Sequence, residues 1–246
     1  MDTNFIVIFS YFIVIYRIVQ LYEVLIAMSF QNQFTKTTTD ANLMETVHHG
    51  SAEYPFRYYY ENIALFDFKC IDWHWHSELE FIYIESGNVV FDIGTVHFEL
   101  NEGNGIMINS KILHRLQSSS DAIIPNFLLQ PSFIAPQDSL IYKKYINPVI
   151  SSSLEYLVFQ PDIPWQKKAL EIIKTIIAVQ KTEFNREIIV SMSVQQLWIL
   201  LLENLTFDQF ENMGAVISRT RLQLMMQYVH AHYSENITLE DIARTA

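Results

Sequence analysis

At 246 residues and 50% apolar, the chain can bury a good core and has room for two modest domains. Sixteen Lys and Arg against 27 Asp and Glu give a net charge of −11 with no basic run, which excludes a face able to neutralise nucleic-acid phosphates. Cys70 is the only cysteine, so an internal disulfide and a cysteine-based metal cluster are both excluded, and a reducing cytoplasm fits.

Phe5–Ala27 (FIVIFSYFIVIYRIVQLYEVLIA) has the length of one membrane crossing, but Arg17 and Glu23 interrupt it and would be costly near a bilayer centre. The start carries Asp2 rather than a basic run, and no clear small-residue cleavage site follows, so a signal peptide is a poor fit. Three readings stay open for residues 1–30: a membrane anchor, a buried helix, or residues that precede a true start at Met28. Gln31–Asn42 is polar and Thr-rich and reads as an entry segment. His48, His49 and Gly50 read as a turn, because adjacent residues of an extended chain point to opposite sides. Tyr54–Tyr60 and Ile63–Ile71 read as strands.

Trp73–Gly87 (WHWHSELEFIYIESG) follows as a strand-like stretch rich in aromatic and branched residues. His74, His76 and Glu80 share one parity, so a single unbulged strand would set all three on one face, the spacing that a metal or small polar ligand needs. The bland alternative puts Trp73, Trp75, Leu79, Phe81 and Tyr83 in the core and leaves His and Glu facing water. Ile82 and Ile84 blur the division, and spacing alone leaves both readings open.

Beyond Gly87 the strand signals are short and evenly spaced: Val89–Ile93, a turn at Gly94–Thr95, Val96–Leu100, a turn at Asn101–Gly105, then Ile106–Asn109. Arg115–Gln117, Asn126–Leu129 and Leu154–Phe159 complete the set, with one short helix at Asp138–Tyr145. Such a pattern predicts a sandwich or barrel, here a jelly roll. After Pro161 the period changes. Trp165, Ala169, Ile172, Ile173 and Ile176 fall at helical spacing, and a second helix covers Glu187–Leu205. Leu197–Leu202 is apolar nearly all round, which means either an ordinary core helix or a dimer contact. Thr206–Ile217 reads as a linker broken at Gly214, and Ser218–Tyr233 as a third helix. Thr238 is placed to cap a last helix, with Asp241 three residues on.

His74, His76, Glu80 and Gly87 match the first motif of the cupin barrels, and HWHSELEFIYIESG resembles the amino-terminal domain of AraC-type transcription regulators. LNEGNGIMINSKILHRLQS (Leu100–Ser118) extends the similarity. RLQLMMQYVHAHYSENITLEDIARTA (Arg221–Ala246) resembles the opening of that family's DNA-binding domain. The resemblance implies a mainly β, then α chain: a cupin or jelly-roll sensor barrel over 43–160, a helical linker and dimerisation region over 161–210, and the start of a helix-turn-helix domain over 218–246. A helix-turn-helix reads DNA with its second helix. That helix is not in this chain, so the chain by itself is expected not to bind an operator.

The resemblance further implies a small-molecule effector held by His74, His76, Glu80 and His114, with Trp75 as a wall residue. It also implies a homodimer formed through helices 165–205, DNA as partner of a full-length form, and a cytoplasmic location without catalysis or cofactor. The alternative is a metal-dependent cupin enzyme, oxygenase- or isomerase-like, in which the same four residues hold one divalent Fe, Mn, Ni or Zn. In the metal-binding cupins, however, the second motif carries Pro, Gly and Asn where this chain has Asn109, Lys111 and Ser118. The turn that would aim His114 is therefore in doubt.

Overall fold

The computed structural model describes residues 36–182, 184–205 and 213–245. The apolar stretch Phe5–Ala27 lies outside them. Among the described residues no helix is long and apolar enough to cross a membrane.

Among the described residues, nine antiparallel strands form two sheets. β1 (Phe56–Asn62), β8 (Ile123–Leu129), β3 (Leu79–Tyr83), β6 (Gly105–Ile108) and β9 (Tyr156–Phe159) lie in that order in one sheet. β2 (Cys70–His74), β7 (His114–Gln117), β4 (Asn88–Ile93) and β5 (Val96–Asn101) form the other. The order, with sequence neighbours often in different sheets, is the jelly roll expected. Most expected strands recur within a residue or two. Two expectations are corrected. Ile63–Ile71 is not one strand, since Ile63–Leu65 and Asp67–Lys69 are 3₁₀ turns before β2. Trp73–Gly87 is not one strand either: β2 ends at His74, and the chain crosses to the opposite sheet before β3 begins at Leu79.

The five-stranded sheet is buried on both faces. Ile82, Ile106, Ile108 and Ile124 pack inward on Phe91, Ile93 and Leu116 of the other sheet. The alternate residues Leu79, Phe81, Met107, Phe127 and Leu129 pack outward on helices α2 (Pro164–Val179) and α3 (Arg186–Asn204) through Leu170, Ile173 and Leu197. A period of two therefore separates two cores rather than core from solvent. That resolves the ambiguity at β3: Leu79 and Phe81 belong to the helical core, while Glu80 and Ile82 belong to the barrel. Gly105 permits the close approach of α2, because a Cβ there would lie 2.9 Å from Leu170 Cδ2 and 3.1 Å from the Ile82 carbonyl oxygen.

Leu140–Ile150 is helical, with a π turn at Tyr142–Ile146 running into α1 (Asn147–Ile150). Gly214, expected to break the chain, lies in the first turn of α4 (Met213–His232). Loss of roughly 1 kcal/mol of helix propensity at one Gly does not end a helix of 20 residues. α5 (Leu239–Ala243) has the expected capping box, with Asp241 N–H on Thr238 Oγ1 at 3.2 Å and Thr238 N–H on Asp241 Oδ2 at 3.0 Å.

Candidate functional site

His74, His76, Glu80 and His114 meet at one end of the barrel, where the apolar fill stops. His74 ends β2, His114 opens β7 directly opposite it, and Glu80 enters from the other sheet on β3. His76 sits on the crossing between the sheets, which is tightly braced. Lys111 N–H bonds the His76 carbonyl at 2.8 Å, Ser110 Oγ the Ser77 carbonyl at 2.7 Å, and Gln130 Nε2 the Glu78 carboxylate at 2.6 Å. The three residues thus converge as their shared parity suggested, but by crossing between sheets instead of along one strand.

All three imidazoles have their Nδ1 fixed on a backbone carbonyl: His74 on Asp72 at 2.7 Å, His76 on Glu78 at 3.2 Å and His114 on Ile112 at 2.8 Å. A carbonyl only accepts, so each Nδ1 carries a proton and each Nε2 is left for the interior. One ligand nitrogen from each ring lies within 4.8 Å of the others. Glu80 Oε2 stands 3.4 Å from His76 Nε2 and 3.2 Å from His114 Nε2. The His114 contact lacks hydrogen-bond geometry, which leaves a fully buried Nε2 without a hydrogen-bond partner among the described residues.

Electrostatics splits the rings. Burial drives the His74 pKa down to about 3, helped by the charge of His114, so His74 is neutral. Burial also opposes the charged form of His76, but the hydrogen bond and charge of Glu80 outweigh it and raise His76. Glu80 itself is held well below the usual carboxylate range, because contacts with His114 and His76 overcome its desolvation.

A cavity of about 50 Å³ adjoins this cluster and is lined by Glu45, His49, Tyr59, Glu61, His74, His76, Glu80 and Asn126, among others. Glu45 and His49 belong to the entry segment 36–49, which runs across the barrel mouth. His49 is buried, bonded to Tyr59 Oη at 2.8 Å and to Glu45 Oε2 at 3.1 Å, with its ring 5.9 Å from that of His76. The expectation of a plain turn at His48–His49 is corrected there: one of the two histidines belongs to the site. Burial pushes Glu61 up to about 8, with the charge of Glu80 adding to it against an Asn126 Nδ2 bond of 2.7 Å. Glu61 and Tyr59 share the inward parity of β1, the one sequence signal that would have found them.

Trp75 does not line the cavity. Its indole N–H donates to the Asn42 carbonyl at 2.7 Å, and its backbone pairs with Leu43 and Glu45. The doubtful turn before His114 is well formed. Lys111, at the position where the metal-binding cupins carry Gly, adopts φ +61°, the backbone state for which Gly is favoured. Asn109, in place of Pro, is fully buried and donates to the carbonyls of Val149 and Leu154 at 3.0 and 2.8 Å. Ser118 Oγ, in place of Asn, donates to the Asn88 carbonyl at 2.7 Å.

The family model of the AraC-like ligand binding domain matches residues 66–134. An uncharacterized HTH-type transcriptional regulator of Bacillus subtilis (strain 168), YdeC, is 34% identical over 213 residues, covering 83% of this chain and 71% of that protein. Among solved structures the chain is similar to ToxT from Vibrio cholerae O395, with 12% identity, a TM-score of 0.41, and coverage of 78% of this chain and 70% of that one. It is also similar to a cupin-2 domain containing protein from Shewanella frigidimarina NCIMB 400, with 13% identity, a TM-score of 0.28, and coverage of 31% and 72%. The sensor-domain match inside a barrel of the right topology, together with a relative alike over most of both chains, means that this chain belongs to the AraC-type family of helix-turn-helix transcription regulators.

Proposed function

We propose that the barrel is the effector-sensing part of the regulator, and that its effector is a small polar ligand taken up by His74, His76, Glu80 and His114. The observation that carries this is the convergence of three imidazoles and a carboxylate beside a small cavity that His74, His76 and Glu80 line, while the rest of the barrel is filled with apolar side chains. A water-sized group needs roughly 10–15 Å³ of such volume. About 50 Å³ therefore suits an ion or a ligand of a few heavy atoms, whereas drug-sized ligands occupy about 300–1,000 Å³. A larger effector enters only if residues 36–49 lift from the mouth. Sensing is favoured over catalysis by the match to the AraC-like ligand binding domain and by the likeness to a transcriptional regulator over most of the chain. DNA reading is the task of a form carrying the second helix of the helix-turn-helix, and a cytoplasmic location follows from that role.

The exposed face of α3 supports self-association. Ile188, Met192 and Ile199 are 57%, 66% and 57% exposed, an apolar row that a second copy of the chain would cover.

The ring tautomers favour a second reading, in which one divalent Fe, Mn, Ni or Zn is bound. Three Nε2 atoms freed by Nδ1–carbonyl bonds, plus a carboxylate, are a donor set for such a metal, and the backbone carbonyls are the outer partners that hold each ring. Bound there, the metal would supply a Lewis-acidic point to which a small anionic or neutral donor attaches. Elemental analysis of the purified full chain beside His76→Ala separates the readings. About one metal per chain, lost in the variant, supports the metal. No metal in either, with thermal stabilisation by a small polar compound that His76→Ala abolishes, supports the metal-free sensor. If neither is seen, the barrel is not the sensing site.

A further inference from the structure

A larger hollow lies outside the barrel, between the outer face of the four-stranded sheet and α4. Its volume is about 570 Å³ against about 50 Å³ for the barrel cavity, within the range of organic-ligand pockets. Phe68 and Trp73 line it from the barrel side, Met226, Val229 and Tyr233 from the helix side, and Arg115 from the sheet.

Phe68 is the unusual residue. It stands at φ +58° and the next residue, Lys69, at φ +52°, so two consecutive side-chain-bearing residues adopt the left-handed state. The strain does not bury the ring: Phe68 is 96% exposed. Backbone strain and a solvated phenyl ring are both unfavourable, and neither is compensated by packing within the barrel. Tyr233 across the hollow is 77% exposed. A flat apolar ligand between them would cover both rings.

The polar requirement comes from Arg115. Its Nε lies 3.1 Å from Cys70 Sγ, and its guanidinium nitrogens stand 3.6 Å from both Asp72 and Asp92, longer than direct hydrogen bonds. A planar donor held in this loose way has capacity for one further acceptor. The helix wall is tied to the entry segment, since Gln227 Nε2 donates to the Asn42 carbonyl at 2.9 Å. α4 then leads through a short turn to the capped helix α5.

We propose that this hollow is a second ligand site, separate from the histidine cluster, for a largely apolar aromatic molecule that presents one acceptor to Arg115. An occupant touches the sensor barrel and the helix leading into the helix-turn-helix, and so biases how the two are held together.

The test is a fluorescence titration of the full chain with 8-anilinonaphthalene-1-sulfonate, an aromatic probe with one anionic acceptor group. One saturable site per chain is expected, weakened at least tenfold by Phe68→Ala, which removes the exposed ring, and by Val229→Trp, which fills the volume. His76→Ala should leave it unchanged. Binding that does not saturate, a titration that either hollow variant leaves unaltered, or an equal loss in His76→Ala overturns the proposal. Phe68 is so exposed that its truncation does not threaten folding, which keeps the outcome readable.

Discussion

Glu80 and His114 approach to 3.2 Å at one end of the barrel, although Glu80 comes from the five-stranded sheet and His114 from the four-stranded one. With His76 also 3.4 Å away, the carboxylate is the one negative group that both of these rings face at such range. Glu80→Ala would leave two buried imidazoles, one of which favours protonation, without the carboxylate that faces both. Breaking a buried pair from one side costs about 3–5 kcal/mol, and a loss of that order is expected in urea unfolding. Glu80→Gln keeps the shape and an acceptor and should lose less. An alanine variant as stable as the parent would mean the contact does not join the sheets.

Glu61 makes stability depend on pH. Unfolded, its carboxyl ionises near 4.5; in the fold burial raises that to about 8. Between those values folding takes up a proton, so this group's contribution falls as pH rises from about 4.5 to about 8. Glu61→Gln removes the titration and can still accept from Asn126. The variant should be more stable at pH 8 by on the order of 2 kcal/mol, with the gap closing toward pH 5. Thermal melts across that range decide it, and a gap that is constant with pH would rule out the buried carboxyl as its source.

Lys111 offers a stabilising change. Its φ of +61° is unfavourable for a residue with a Cβ, and only its backbone N–H is needed to hold His76. Lys111→Gly should raise stability by about 1 kcal/mol despite the extra flexibility of the unfolded chain. A drop in melting temperature would show that the lysine side chain contributes something its backbone does not.

Much of the fold was legible because strand length, turn residues and the change of period after Pro161 are local signals. The candidate site was legible only in part. His74, His76, Glu80 and His114 were readable from the motif, yet the crossing that brings them together was not, since Trp73–Gly87 has the alternation of a single strand. His49, Tyr59, Glu61 and Asn126 carry no motif. They reach the cavity through the pairing of β1 with β8 and through the entry segment folding over the mouth. Those are long-range contacts, and no short window of sequence encodes them. Trp75, expected as a wall residue, has the opposite parity to His74 and His76, and it bonds the entry segment at Asn42, Leu43 and Glu45 instead.

Self-association has a direct test. Met192→Lys puts a charge in the centre of the exposed row on α3, where no buried packing is disturbed. Sedimentation should show a dimer for the parent chain and a monomer for the variant, with unchanged melting at low concentration. A parent that remains monomeric at high concentration would leave the row without that role.

Strand β3 is a partition one residue thick. Odd positions press on the helices, even positions face the barrel interior with Glu80 in the ligand set and Ile82 in the apolar fill, and a single peptide unit separates Glu80 from Phe81. Interiors packed this densely do not absorb a displacement on one side without passing it to the other. Any event that shifts Glu80 is therefore felt by Leu79 and Phe81, and through them by α2, with no moving lid or hinge required. In that sense the strand is itself the transmitter, and its message is encoded in nothing more than the alternation of side chains along an extended backbone.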